Sequence, residues 1–153
     1  MEDQAIRILI AIDLSENSLK AVDYVAGMIS CQPAVVITLL NVIKEPSPDN
    51  MPDAAERKRI VEGQRADTLA LMEKAAQRLT SHGIPEKSIQ LKVQVCTRPV
   101  SVADLILFEQ QNGRHGTIVV GRRGVTKKEE FLFRSVSSKV MREAKQCAVW
   151  VIE

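Results

Sequence analysis

Residues Thr117 to Lys145 read TIVVGRRGVTKKEEFLFRSVSSKVMREAK. Thr117 to Val120 is a short β-branched run of the kind a buried strand needs, and Gly121 stops it at a point where a side chain would keep backbone from coming close. Arg122, Arg123 and a second glycine, Gly124, follow at once. After nine further residues come Arg134 and Ser135, the latter a good N-cap residue placed before Val136, Val140 and Ala144 at helical spacing. The stretch therefore predicts a strand that empties through a glycine-bounded basic loop onto the start of a helix. Such a place suits an anion, because the first N–H groups of a helix lack intrahelical partners and the positive end of its dipole points the same way. Between Arg122 and Arg134 five basic residues (Arg122, Arg123, Lys127, Lys128, Arg134) stand against Glu129 and Glu130, so the loop holds +3 while the whole chain, 21 basic against 19 acidic, holds +2. The structural alternative is a simple glycine turn with solvated arginines, and the residues alone admit both.

Outward from this stretch the chain alternates strands and helices. Ile6 to Ile12 is a nearly continuous apolar run, the mark of a strand covered on both faces, and Asp13 ends it. Ser15 is placed to cap a helix with Leu19, Val22, Ala26 and Ile29 on one face, stopped by Pro33. Val35 to Ile43 is a second buried strand. Lys44 to Pro52, with three prolines and no periodicity, reads as a surface loop, a lid or a mere connection. Asp53 and Glu56 resemble a capping pair opening a long helix through Leu69, Met72, Ala76 and Leu79 to Gly83. Ile89, Leu91, Val93 and Val95 alternate with Gln90, Lys92 and Gln94, which predicts a strand at a sheet edge. Pro99 opens a helix expected to turn Val102, Leu105, Ile106 and Phe108 inward before Gly113, and Ala148 to Ile152 is the last strand. Strands alternating with helices imply a parallel sheet with helices on both faces.

The glycine loop resembles the phosphate motif of the universal stress protein family. Its ATP-binding members carry a glycine, two residues, a glycine, nine residues, then glycine and serine; here Gly121, Gly124, Arg134 and Ser135 stand at those places, so arginine replaces the third glycine. RILIAIDLSENSLKAVDYV near the start and CAVWVIE at the end are similar to the same family, so the likeness spans essentially the full chain, 1–153, as one domain. The resemblance implies an open α/β fold of the adenine nucleotide alpha hydrolase-like type, five parallel strands in the order 3-2-1-4-5. Strands one and four then lie side by side where the winding reverses, and ligands of open sheets bind at the carboxyl ends of strands there. Asp13 and Gly121 stand at those two ends.

By the same resemblance, backbone at Gly121, Gly124, Ser135 and Val136, with the side chains of Arg123 and Ser135, would hold the phosphates of ATP or a related adenine nucleotide, with or without Mg²⁺, while Arg122 is exposed. Ala11, Val42 and Val120 would form the apolar slot for the adenine ring, or serve as core. Asp13 would accept hydrogen bonds from the adenine or ribose side, or cap the helix that follows it. Arg134 leaves two outcomes open. Its side chain fills the phosphate pocket, leaving a protein that works through protein partners, or it swings over the phosphates and adds a bidentate contact. A shift of preference towards AMP, ADP or another anion agrees with either. A small enzyme acting on a nucleotide-activated substrate is a third reading. Family members are dimeric, and the unbroken apolar run Ala148 to Ile152 is hazardous for a bare edge, so pairing with the same strand of a second copy is expected.

Other classes are excluded by motif or composition. There is no Walker P-loop, no GxGxxG fingerprint and no GxSxG elbow, and DLSENS after the first strand lacks the glycines of an SGGxDS pyrophosphate loop. No residue presents itself to activate water, so any hydrolysis is expected to be slow. Net charge of +2 and 3% aromatics argue against nucleic acid read by stacking. No apolar stretch approaches the roughly 20 residues of a membrane helix, and the acidic start MEDQ is unlike a signal peptide, so a cytoplasmic protein is expected. Cys31, Cys96 and Cys147 are odd in number and widely spaced, which fits a reducing compartment and no zinc site. Cys96, with Arg98 nearby, reads as structural, His82 and His115 as caps or surface groups, and Trp150 as core or dimer contact.

Overall fold

The computed structural model describes residues 5–30, 34–121 and 136–153. Five strands, β1 (Ile6–Ala11), β2 (Val35–Lys44), β3 (Ile89–Cys96), β4 (Thr117–Gly121) and β5 (Ala148–Ile152), form one sheet in the order β3-β2-β1-β4-β5. All four pairings are parallel, with registers such as Ile10↔Leu39 and Ile10↔Val119. Between them run α1 (Glu16–Ile29), α2 (Ala54–Ser81), a short 3-10 turn (Glu86–Ser88) and α3 (Val102–Asn112). A further helical stretch, α4, occupies 136–143.

Strand side chains alternate between the two faces of the sheet, so each strand feeds two cores. Ile8, Ile10, Ile37, Leu39 and Val119 pack against α1 and α2. Leu9, Leu40, Ile118 and Val120 pack against α3 and α4, where Val140 is buried and Val136 and Ala144 lie partly covered beside it. This double covering is why β1, β2 and β4 read as continuous apolar runs. On α1 the expected stripe of Leu19, Val22, Ala26 and Ile29 is buried.

Helix faces elsewhere differ from expectation. The buried side of α2 is Val61, Thr68, Met72, Ala75 and Leu79, while Leu69 is 42% exposed, because one residue's step turns a helical side chain by about 100°. On α3 Ile106 is buried as expected, but Ala103 and Leu107 join it and Phe108 is left 60% exposed. The helix starts later than Pro99: Ser101 caps it, accepting from Asp104 N–H at 3.1 Å while Ser101 N–H donates to the Asp104 carboxylate at 2.8 Å. Asp53 caps α2 through Ala55 N–H at 2.9 Å, and Gly83, with φ +91°, follows its last turn. At that same end His82 occupies the C-cap position, its N–H donating to Leu79 O at 3.1 Å and its Nδ1 2.8 Å from Arg78 O, while Gly83 N–H donates to Thr80 O at 3.0 Å.

The strand β3 is an edge, as its alternation implies, yet Ile89 and Val93 reach the α1–α2 core while Leu91 is 40% exposed. Its wet face is met by Glu109 of α3, which takes Lys92 Nζ at 2.6 Å and Gln94 Nε2 at 3.3 Å. His115 is neither a cap nor a surface group. It is buried, with Nε2 3.0 Å from Thr38 Oγ1 and Nδ1 3.3 Å from Glu109 O, and burial pushes its pKa down, so it pins α3 to β2 as a neutral ring.

Candidate functional site

The carboxyl ends of β1 and β4 lie next to each other, and the chain leaves them in opposite directions across the sheet. A cleft opens above them. It is a cavity of about 170 Å³ lined by Ala11, Ile12, Asp13, Leu40, Asn41, Val42, Lys44, Val102, Ile106, Val120 and Val136. Pockets enclosing a whole drug-sized ligand run to roughly 300–1,000 Å³, so this one is sized for a flat ring with the rest of its ligand outside. Of the residues singled out from the sequence, Ala11, Asp13, Val42, Val120 and Val136 all meet around it, and Gly121 ends the adjoining strand. Arg123, Gly124, Arg134 and Ser135 lie outside the described residues, as do Arg122, Lys127 and Lys128.

The floor of the cavity follows from strand alternation. Val42 and Val120 point to the α3–α4 side, and Val102, Ile106 and Val136 close it from above. Asp13 sits where β1 gives way to α1. Its Oδ1 accepts from Ser15 N–H at 2.9 Å, from Ser18 Oγ at 2.7 Å and from the Ser15 hydroxyl, while Asp13 N–H donates to Ser18 Oγ at 2.9 Å. Ser15 occupies the N-cap position without a cap bond from its own side chain. Asp13 thus holds the turn into α1 through the N-cap residue Ser15 and the Ser18 hydroxyl, and the same carboxylate borders the cavity.

Asn41 went unnoticed in the sequence, although a polar residue inside the apolar run VVITLLNVIK is a signal. It is buried, its Nδ2 donates to Ile12 O at 2.7 Å, and its Oδ1 accepts from Thr68 Oγ1 at 3.3 Å. The amide fixes the backbone leading into Asp13 and ties it to α2. Lys44, Val102 and Ile106 were not singled out for the site either, because nothing local to a sequence says which helix roofs which strand end.

Cys96 ends β3, buried, with its thiol donating to Val100 O at 2.7 Å. Burial pushes both its pKa and that of Cys147 up, which disfavours the thiolate form at either position. Among the described residues no cluster of histidine, cysteine or carboxylate side chains is arranged to hold a metal ion, and no helix is long and apolar enough to cross a membrane.

A doubly wound parallel sheet with a small apolar cleft at its switch point defines an open α/β fold of the kind that takes ligands at the carboxyl ends of its strands. Residues 6–153 match the universal stress protein family model, and the chain belongs to that family. Among solved structures, the universal stress protein UspA from Lactobacillus plantarum superposes with a TM-score of 0.75 at 17% identity, over 99% of this chain and 100% of that one. A universal stress protein in complex with cAMP gives 0.63 at 18% identity, over 96% and 95% of the two chains. The universal stress protein from Archaeoglobus fulgidus in complex with dAMP gives 0.61 at 17% identity, over 97% and 98%. No curated protein matches the chain.

Proposed function

We propose that the chain binds an adenine nucleotide, ATP or a relative of it, in the cleft above β1 and β4, and acts as a stress-response binder or regulator rather than as an efficient enzyme. The observation that carries this reading is the convergence of Ala11, Val42, Val120 and Val136 with the Asp13 carboxylate around one ring-sized cavity. An apolar slot takes the base, and Asp13 at its mouth accepts from a ribose hydroxyl. The basic stretch that begins after Gly121 then supplies the phosphate contacts, with Arg134 among them. Structural relatives in complex with cAMP and dAMP support the choice of adenine. Cytoplasmic residence and dimerisation through β5 belong to the same proposal.

Calorimetric titration with AMP, and with ATP and Mg²⁺, tests it. The wild type is expected to bind, and Asp13→Ala to weaken binding about tenfold or more, the ordinary loss when a hydrogen bond to a charged group is removed. Since Asp13 also organises the start of α1, the titration is read on folded protein checked by circular dichroism. Unchanged affinity in the variant removes Asp13 from the site. Silence in the wild type with binding in Arg134→Gly would mean that Arg134 closes the pocket, and would overturn the nucleotide reading.

A further inference from the structure

The carboxyl ends of the strands stand in the row β4, β1, β2, β3, and the recesses above them follow that row. The ring-sized cavity runs from Val120 past Asp13 to Val42 and Lys44. Beyond it, over the ends of β2 and β3, lies a second recess of about 500 Å³, bordered by Lys44, Ser47, Asn50, Arg98, Val100 and Ser101. Lys44 lines both, so the two are neighbours across a single side chain.

This second recess has ordered walls. Glu45 N–H bonds to Cys96 O at 3.0 Å, carrying the β2–β3 pairing past its last register pair, Lys44↔Cys96. The loop after β2 is tied down by Arg57 of α2, whose Nη1 donates to Met51 O at 2.7 Å and Pro52 O at 3.0 Å and whose Nε lies 3.4 Å from Glu45 Oε1. Glu45, the acidic residue of the recess, is thus already neutralised. Lys44 and Arg98 are exposed and make no ion pair among the described residues. Among the described residues the recess thus presents two cations without an ion-pair partner, one of them a guanidinium suited to bidentate carboxylate contacts.

In a purine nucleotide the glycosidic bond and the exocyclic amine lie at opposite ends of the base. With the ribose beside Asp13 and Gly121, the amine faces Lys44 and the second recess. We propose that this recess takes an acidic substituent on the adenine N6, so that the preferred ligand is an adenine nucleotide whose exocyclic amine carries a carboxylate-bearing group held by Lys44 and Arg98. The inference rests on the nucleotide reading above. A bare amine would leave the larger recess and both cations without a partner in the complex.

The test is calorimetry on the full chain with three probes: AMP, the neutral N6-benzyl derivative of AMP, and its N6-dicarboxyethyl derivative. The dicarboxyethyl compound is expected to bind about tenfold tighter than AMP, in line with two solvent-exposed charge contacts, and to lose that gain in raised salt. The benzyl compound gains nothing comparable. Arg98→Glu abolishes the gain while leaving AMP as in the wild type. Equal binding of the three probes, or a gain that survives Arg98→Glu, overturns the inference and leaves the nucleotide site standing. Failure of all three, AMP included, overturns both.

Discussion

At the scale of single residues, the buried polar groups carry the most information. Asn41 and Thr68 fix the backbone before Asp13, and His115 joins the end of α3 to Thr38 of β2. The His115 ring lies directly over Gly113, where an added Cβ would fall inside van der Waals contact with ring atoms Cε1 and Nδ1. Gly113, with φ −85°, is required for room rather than for backbone freedom. Gly113→Ala should therefore cost about 1–3 kcal/mol through displacement of the imidazole, lowering Tm by roughly 3–10 °C in a thermal melt. Gly116→Ala is the control, since a Cβ there meets nothing within 4 Å and Tm should hardly move. Equal shifts in the two variants would refute the steric account. Sequence reading placed Gly113 correctly as the stop of α3 but took His115 for a surface group, because the partners that bury it, Thr38 and Glu109, come from a different strand and from the preceding helix.

At the scale of elements, α3 and α4 form the roof of the cleft, and an ion pair joins them. Lys139 Nζ lies 2.8 Å from Asp104 Oδ1, and Asp104 also completes the capping box of α3. The Lys139 ammonium, followed by the bonds from Ser101, lowers the Asp104 pKa to about 2. Because the folded value lies below that of the unfolded chain, the unfolded state binds the proton first as the solution is acidified. The stabilisation is then complete above roughly pH 4 and disappears as pH falls towards about 2. Asp104→Ala should cost about 1 kcal/mol at neutral pH, the usual loss of a cap, with only a small addition from an ion pair as exposed as this one. Urea titrations across pH should show wild type and variant converging near pH 2. A gap that stays constant would show that the carboxylate's charge is not what holds α3. Sequence reading set the helix start at Pro99, ahead of the local capping box of Ser101 and Asp104, and the ion pair to Lys139 on another helix was invisible to it.

At the scale of the whole molecule, β5 is the exposed end of the sheet, with Val149, Trp150, Val151 and Ile152 only partly covered. Trp150 packs edge-on against Tyr24 of α1, the ring centroids 6.5 Å apart at 86°, and Tyr24 itself is 51% exposed. A half-covered apolar edge beside an exposed aromatic is consistent with the proposed pairing of two β5 strands. If that pairing holds, the wild type should sediment as a dimer and Trp150→Glu as a monomer. An unaltered dimer would move the interface elsewhere.

The sequence by itself determined the alternation of strands and helices, the edge character of β3, the glycines that end β4 and α3, and the family. Periodicity and turn chemistry are local and need only a dozen neighbouring residues to be read, while the family rests on likeness along nearly the whole chain. Through the resemblance to the family it also pointed to Ala11, Asp13, Val42 and Val120, which the structure brings together around one cavity. Only the tertiary structure decided that Val102, Ile106 and Val136 roof those strand ends, that Asn41 holds the loop at Asp13, and that Lys44 stands between the ring-sized cavity and a second recess. Which helix covers which strand is settled by packing between parts of the chain up to a hundred residues apart, and no local pattern records it.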